Sequence, residues 1–380
     1  VATFKFVTLP NLARFWNNMK DAFVSKVPGK GLSTNDLTDT LKAKYDEAEE
    51  NAISLIKVNG EAKDITDKTV ELVIPTDLND LGYEMATDIE IDRMFLSLLG
   101  IEWALVNDVP FGMWISICYG DGKFVAIASS GNTLVSSDGL TWDEHPSIGG
   151  NSWTSVCYGN GIFVAVSNVS GDIDMMSSPD GINWTGTSLI GSWRGVCYGD
   201  GKFVAVSQSG NIVAVSTNGI DWTEHNIGIT SSLDSICYGN GMFVATGTYG
   251  DSRIITSPDG ENWTHRDVPI EAWASVCYGN GMFVAVGTNK IISSPDGITW
   301  TERSPASGSQ WQSVCYGHSM FIATAINGHP NQIMTSPDGI TWTTQITPAN
   351  SYWMSACYGD GKFISVAMMG SGKIMISPPQ

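Results

Sequence analysis

Trp273-Ala274-Ser275-Val276-Cys277-Tyr278-Gly279-Asn280-Gly281-Met282-Phe283-Val284-Ala285-Val286 is the stretch on which the reading of this chain turns. Trp273 to Tyr278 alternates in polarity and runs into Gly279-Asn280-Gly281, a two-residue hairpin signal, so Phe283 to Val286 reads as the returning strand. Lys290 to Ser293 follows as a third strand, closed by Ser294-Pro295-Asp296-Gly297. In that turn Pro presets φ at the second position and Gly suits the fourth, as a type I turn prefers. Trp300-Thr301-Glu302-Arg303 is then a fourth strand.

The pattern recurs. Cys-Tyr-Gly stands at Cys118, Cys157, Cys197, Cys237, Cys277, Cys315 and Cys357, at intervals of 39, 40, 40, 40, 38 and 42. Four short antiparallel strands per period of about 40 predict the blades of a β-propeller. An odd number of cysteines, one per repeat at one register, is not a disulfide framework, and none is spaced as a zinc knuckle. Each is expected to be a small buried apolar residue on an inner strand. The Trp before each first strand (Trp114, Trp153, Trp193, Trp273, Trp311 and Trp353, with Leu233 in the fourth unit) and the Trp after each turn are expected between blades. Phe-Val-Ala-Val runs suit a strand buried on both faces.

The first-strand pattern occurs seven times, but the turn followed by Trp only six: Trp142, Trp184, Trp222, Trp263, Trp300 and Trp342. The last unit stops after its third strand, at Ile374 to Pro378. Trp103 precedes Trp114 by 11 residues, as Trp142 precedes Trp153. The strand around Trp103 to Val109 is therefore expected to complete the last blade, which removes open sheet edges. The fold expected is mainly β: a seven-bladed propeller over 100–380 with a shared (velcro) closing blade, preceded by a smaller α+β region, 1–99.

Composition narrows the function. The 380 residues carry 20 Lys+Arg against 39 Asp+Glu, net −19, with 41 Gly and 14 Trp. Such an acidic balance argues against nucleic acid as a partner, since phosphate binding needs clustered Lys and Arg. No run approaches the 18 or so apolar residues of a membrane-spanning helix. Val1 to Pro10 lacks a charged segment followed by an apolar one, so synthesis in the cytoplasm without a signal peptide is expected. No cofactor and no metal site are expected.

Before Gly100 the helical signal dominates. Leu12, Phe15, Trp16, Met19 and Phe23 lie at helical spacing, and Leu37, Leu41 and Tyr45 are four apart. Ile53 to Val58 and Val70 to Ile74 read as two strands around a Gly60 turn. Thr87-Asp88-Ile89-Glu90 is a capping box before a helix with Ile91, Met94, Phe95, Leu98 and Leu99 on one face. Copies of the chain could bury these faces, which suggests an oligomeric stalk; an ordinary small α+β domain is the alternative.

Two resemblances follow. Ser294-Pro295-Asp296-Gly297-Ile298-Thr299-Trp300 resembles the Asp-box of sialidase-like propellers, and recurs at Ser136 to Trp142, Ser257 to Trp263 and Ser336 to Trp342. It lacks one residue between Asp and Gly. Unit two reads as shifted, with Ser178 and Asp180 before Trp184, and unit three has Asn218 for Asp. The resemblance implies fold alone, because the Asp-box is structural. Gly29 to Thr38, Ile56 to Gly60 with Val70 to Thr76, Asp77 to Tyr83 and Ala86 to Asp92 are similar to segments recurrent in tail-fibre and baseplate proteins of bacteriophages and prophages. That resemblance implies a virion protein, usually a homotrimer. Its N-terminal part would attach to other tail or baseplate proteins, and its C-terminal domain would meet the host surface.

In a propeller the first-to-second and third-to-fourth hairpins share one face, and the remaining loops share the other. Across these units the first face is nearly uniform and the second differs in every unit. Diversified loops can carry recognition. The candidate contacts are Asp172, Asp174, Tyr249, Arg253, His329, Asn331 and Tyr352. A sialidase-like site needs an arginine cluster, a Tyr/Glu pair and an acidic general acid. Residues 101–380 hold four arginines, Arg194, Arg253, Arg266 and Arg303, of which Arg266 and Arg303 lie just past a fourth-strand Trp. His145, His225 and His265 sit two or three residues past such a Trp, which disfavours a metal cluster.

The expectation is therefore a non-enzymatic tail-tip protein whose propeller binds a bacterial surface glycan or protein. Residues 101–380 hold 22 acidic against 9 basic side chains, which favours a neutral glycan or a basic protein patch. A structural baseplate propeller, a glycan-processing enzyme and a cellular lectin or assembly-factor propeller stay open.

Overall fold

The computed structural model describes residues 3–5, 69–71, 103–149, 152–169, 171, 173–208, 211–228, 231–250, 253–370 and 373–377. The chain divides into two compact units, Val1–Ile101 and Glu102–Gln380.

In the first unit Thr3–Lys5 pairs antiparallel with Thr69–Glu71, Phe4 opposite Val70. The sequence predicts a strand near 70, but with Ile53 to Val58 as its partner; that segment and the expected helices lie outside the described residues.

The second unit is a seven-bladed propeller of four-stranded antiparallel sheets. Blade 1 runs Trp114–Gly120, Lys123–Ala128, Asn132–Ser136 and Asp143–Pro146. Blades 2 to 6 repeat that order, with first strands Trp153–Gly159, Trp193–Gly199, Ser231–Gly239, Trp273–Gly279 and Trp311–Gly317. Blade 7 has Ser351–Gly359, Lys362–Gly370 and Ile374–Ile376, and beside the last lies Ala104–Leu105. Ala104 stands opposite Ile376, Leu105 opposite Met375, and Val106 N–H donates to Ile374 O at 3.0 Å.

First strands neighbour one another around the axis, and their repeated residues explain why. At six junctions a first-strand serine accepts the next blade's backbone N–H, as Ser116 Oγ does from Val156 (3.1 Å), Ser313 Oγ from Ala356 (3.1 Å) and Ser355 Oγ from Ile117 (3.3 Å). The Gly of each Cys-Tyr-Gly lies against the next blade's Tyr: a Cβ on Gly279 would stand 2.0 Å from Tyr316 Cγ, and one on Gly359 2.1 Å from Tyr119 Cγ. The first-strand Trp side chains are buried. The Trp after each turn packs on its own blade's Phe and, as at Trp142, on the preceding blade's Ile364 and Ile376. The seven cysteines are free thiols, half-buried or buried, and burial pushes their pKa values up.

Both recurrent turns do what their residues dictate. Asn280 and Gly281 take φ of 48° and 74°, the left-handed pair a two-residue hairpin needs. Blade 6 has His318 and Ser319 there, at φ 42° and 57°, with no glycine. Left-handed backbone strains an L side chain by roughly 1–2 kcal/mol. Ser319→Gly is therefore expected to stabilise the propeller by about 0.5–1 kcal/mol in a denaturant titration. No gain would place the strain elsewhere.

In the second turn Asp296 Oδ1 accepts from Ile298 N–H and Thr299 N–H, both at 2.8 Å; Ser294 Oγ accepts from Gly297 N–H, and Trp300 Nε1 donates to Gly297 O. Blade 2 is not shifted, contrary to its sequence reading: Ser178, Asp180, Gly181 and Trp184 make the same bonds, because they stand at the same spacing as Ser294, Asp296, Gly297 and Trp300. Asn218 Oδ1 reproduces them in blade 3 without a charge. Asp296→Asn keeps both acceptor bonds and should lose only the part that depends on charge, whereas Asp296→Ala should lose about 1–2 kcal/mol in thermal unfolding. The backbone N–H of Thr299, then that of Ile298, holds the Asp296 carboxyl below its ordinary range. Its charged form stabilises the fold above the unfolded carboxylate pKa of about 4, and that contribution disappears as pH falls through the lowered folded value.

Candidate functional site

Hydrogen bonds sort the loops into two faces. The first-to-second hairpin of one blade reaches the third-to-fourth turn of the next: Lys123 Nζ donates to Asp180 O (3.4 Å) and Lys202 Nζ to Asp259 O (2.9 Å). On the opposite face, second-to-third loops meet the approach to the next first strand. Ser192 Oγ donates to Asn168 O at 2.9 Å, and Gln332 Nε2 to Ser351 O at 2.7 Å. The first face is a belt of near-identical turns. The second is irregular and surrounds one end of the central channel.

There the channel holds a cavity of about 440 Å³. The register shifts just after the first-strand Trp (Leu233 in blade 4), and the residue at that bulge lines the cavity from every blade, forming a ring: Ile115, Thr154, Arg194, Asp234, Ala274, Gln312 and Met354. Seven repeats give seven different residues at this position. Arg194 Nε donates to Asp234 Oδ1 at 3.2 Å, and Asp234 Oδ2 accepts from Thr248 N–H (3.2 Å) and Thr248 Oγ1 (2.6 Å). Thr154 Oγ1 lies against the backbone oxygens of Val166 (3.0 Å) and Trp193 (2.9 Å).

The described sequence candidates lie on this face but do not form one site. Tyr249 lines the cavity and is 72 % exposed. Tyr352 is exposed on the blade 7 approach. His329 is exposed, with Nδ1 3.1 Å from Thr347 Oγ1, and Asn331 N–H donates to Gly328 O within the same loop. Asp174 is buried, and its Oδ1 accepts from Gly171 N–H at 2.8 Å, so its side chain shapes its own loop. Arg253 Nη1 donates to Thr248 O and to Glu271 O, which ties two loops together. Asp172 lies outside the described residues. The sequence reading misses the ring, although the variation after each first-strand Trp is visible in it.

Apolar exposure is concentrated on the same face. The five most exposed large apolar side chains among the described residues are Ile270 (85 %), Phe111 (84 %), Ile190, Ile346 and Tyr249, and all lie in its loops or lengthened strands. Among the described residues no group of three or more His, Cys, Asp or Glu is placed to hold a metal ion.

No protein-family model and no curated protein matches the chain. Solved structures do. A streptogramin B lyase structure superposes with a TM-score of 0.64 at 16 % identity, over 73 % of this chain and 98 % of that one. A catalytically inactive variant of virginiamycin B lyase from Staphylococcus aureus with quinupristin gives 0.63 at 13 %, over 72 % and 97 %. YCF48 from Cyanidioschyzon merolae gives 0.55 at 16 %, over 73 % and 98 %. At such identities the likeness is one of fold: this chain carries a seven-bladed β-propeller similar to theirs.

Proposed function

We propose that this chain is a tail-tip protein of a phage or prophage particle whose propeller binds a bacterial cell-surface ligand, a glycan, without catalysis. Residues 1–99 attach it to other tail proteins as a trimer. The strand at Ala104–Leu105 serves as the latch that shuts the ring, fixing the two faces. The observation that carries the reading is the contrast between those faces. One is a belt of copied turns. The other gathers the channel mouth, the divergent ring and the most exposed apolar side chains. Constraint by folding explains copies; it does not explain seven different residues at one inward position. The N-terminal resemblance to tail proteins supplies the setting, and many weak contacts multiplied over a particle supply the avidity.

Labelled full-length chain applied to a panel of bacterial strains should adsorb to some of them, and periodate oxidation of the cells should abolish adsorption. Adsorption that survives periodate but not protease moves the ligand to a protein. A second reading, docking of neighbouring tail proteins, is favoured by the exposed apolar Phe111, Ile190 and Ile270 on this face, which suit a protein surface better than a sugar. Particles lacking the chain separate the two. Intact particles that fail to adsorb support receptor binding, and failed assembly supports docking.

A further inference from the structure

Where repeats are near-copies, departures mark positions set by something other than folding. Four departures coincide at the junction of blades 3 and 4. Leu233 replaces the buried first-strand Trp. Gly195 replaces the serine that bridges the other six junctions, so no hydroxyl stands opposite Ile236 N–H there. Arg194 and Asp234 are the two charged members of the channel ring, and among the described residues no other charged side chain lines the cavity. The first two strands of blade 4 are lengthened to Ser231–Gly239 and Met242–Gly250, as only those of blade 7 also are, which carries Tyr249 to the rim.

The junction is built to present donors. Asp234 is held on both oxygens, one by Arg194 Nε and the other by Thr248. It therefore orients the guanidinium and offers little to a ligand. The Arg194 side chain is 34 % exposed, and neither Nη has a protein acceptor among the described residues. The two Nη groups are thus the donors that Arg194 leaves for the cavity it lines, whose volume falls in the range of small-ligand sites, about 300–1,000 Å³. The ion pair is neutral overall and lies in a strongly acidic domain, which disfavours an anionic ligand.

Resting on the receptor-binding reading above, we propose that this junction is the saccharide subsite. The Arg194 fork donates to two neighbouring hydroxyl or acetamido oxygens of one neutral sugar unit, and Tyr249 covers the C–H face of its ring.

The test uses the full-length chain and the variants Arg194→Ala, Arg194→Lys and Tyr249→Ala, with Ile298→Ala on the opposite face as control. The probes are immobilised neutral oligosaccharides ending in glucose, galactose, rhamnose or N-acetylglucosamine, and uronic-acid-terminated counterparts; adsorption to bacteria is measured in parallel. The wild type should hold at least one neutral probe with an affinity indifferent to salt. Arg194→Ala should weaken it about tenfold or more, Arg194→Lys should fail to restore it, and Tyr249→Ala should weaken it about threefold or more. Ile298→Ala should match wild type. Tyr249 is exposed, so its loss leaves folding intact; unchanged thermal midpoints check the others. If the wild type adsorbs to bacteria and the Arg194 and Tyr249 variants do so equally, the subsite is wrong and receptor binding stands. Salt-sensitive retention on the acidic probes alone also overturns the subsite. A wild type that holds neither probe nor any bacterium overturns both.

Discussion

Gly279→Ala is expected to destabilise the propeller by about 3 kcal/mol, the upper end of the usual overpacking range. The added Cβ would stand 2.0 Å from Tyr316 Cγ and 2.4 Å from its Cδ1, inside any real contact distance. Tyr316 has little room to yield, since its ring packs 4.7 Å centroid to centroid on Phe321, which is fully buried. Nor can blade 6 move outward freely, because Ser275 Oγ ties it to blade 5 through Val314 N–H at 3.2 Å. Urea unfolding at equilibrium measures the loss. Gly279→Ala combined with Tyr316→Ala should cost less than the sum of the two single changes, by a coupling of about 1–3 kcal/mol. A single variant within about 0.5 kcal/mol of wild type would mean that the glycine serves only its hairpin.

Trp103→Ala should lower stability by about 3–5 kcal/mol, as for a Trp deep in a core. Trp103 precedes the first blade by 11 residues, yet is 3 % exposed among Phe363, Met375, Ile333 and Trp353, all from blades 6 and 7. Its ring centroid lies 6.4 Å from that of Phe363. Such a loss is understandable only if Ala104–Leu105 belongs to the last sheet, so Trp184→Ala, the buried Trp after the turn of blade 2, is the matching reference. Similar thermal shifts for both are the expected result. A Trp103 variant as stable as wild type would detach this strand from blade 7.

The period, the hairpins and the turn chemistry can be read from residues alone because each is a local signal. Asn280-Gly281 needs only its own φ preferences, and Ser294 to Trp300 folds back on itself through bonds spanning two or three residues. What eludes that reading depends on neighbours far along the chain. The Gly of Cys-Tyr-Gly looks like part of a turn until the next blade's Tyr is found against it. Ser116 looks like an ordinary alternating polar residue until its hydroxyl is placed beside Val156 N–H. The loop candidates show the opposite error. Variability is not availability: Asp174 Oδ1 and Arg253 Nη1 are committed to their own and adjoining loops. In sequence Arg194 counts only as one of too few arginines for an enzyme, whereas its position one residue past a first-strand Trp puts it in the channel mouth.

Hydroxyl-radical footprinting of the full-length chain, free and bound to cells of an adsorbing strain, tests most directly which face meets the partner. Protection is predicted at Tyr249, Tyr352, Met354 and Met369, with Ile182, Ile298 and Ile340 on the turn belt oxidised at unchanged rates. Protection of those belt isoleucines with an unaltered channel mouth would contradict the account.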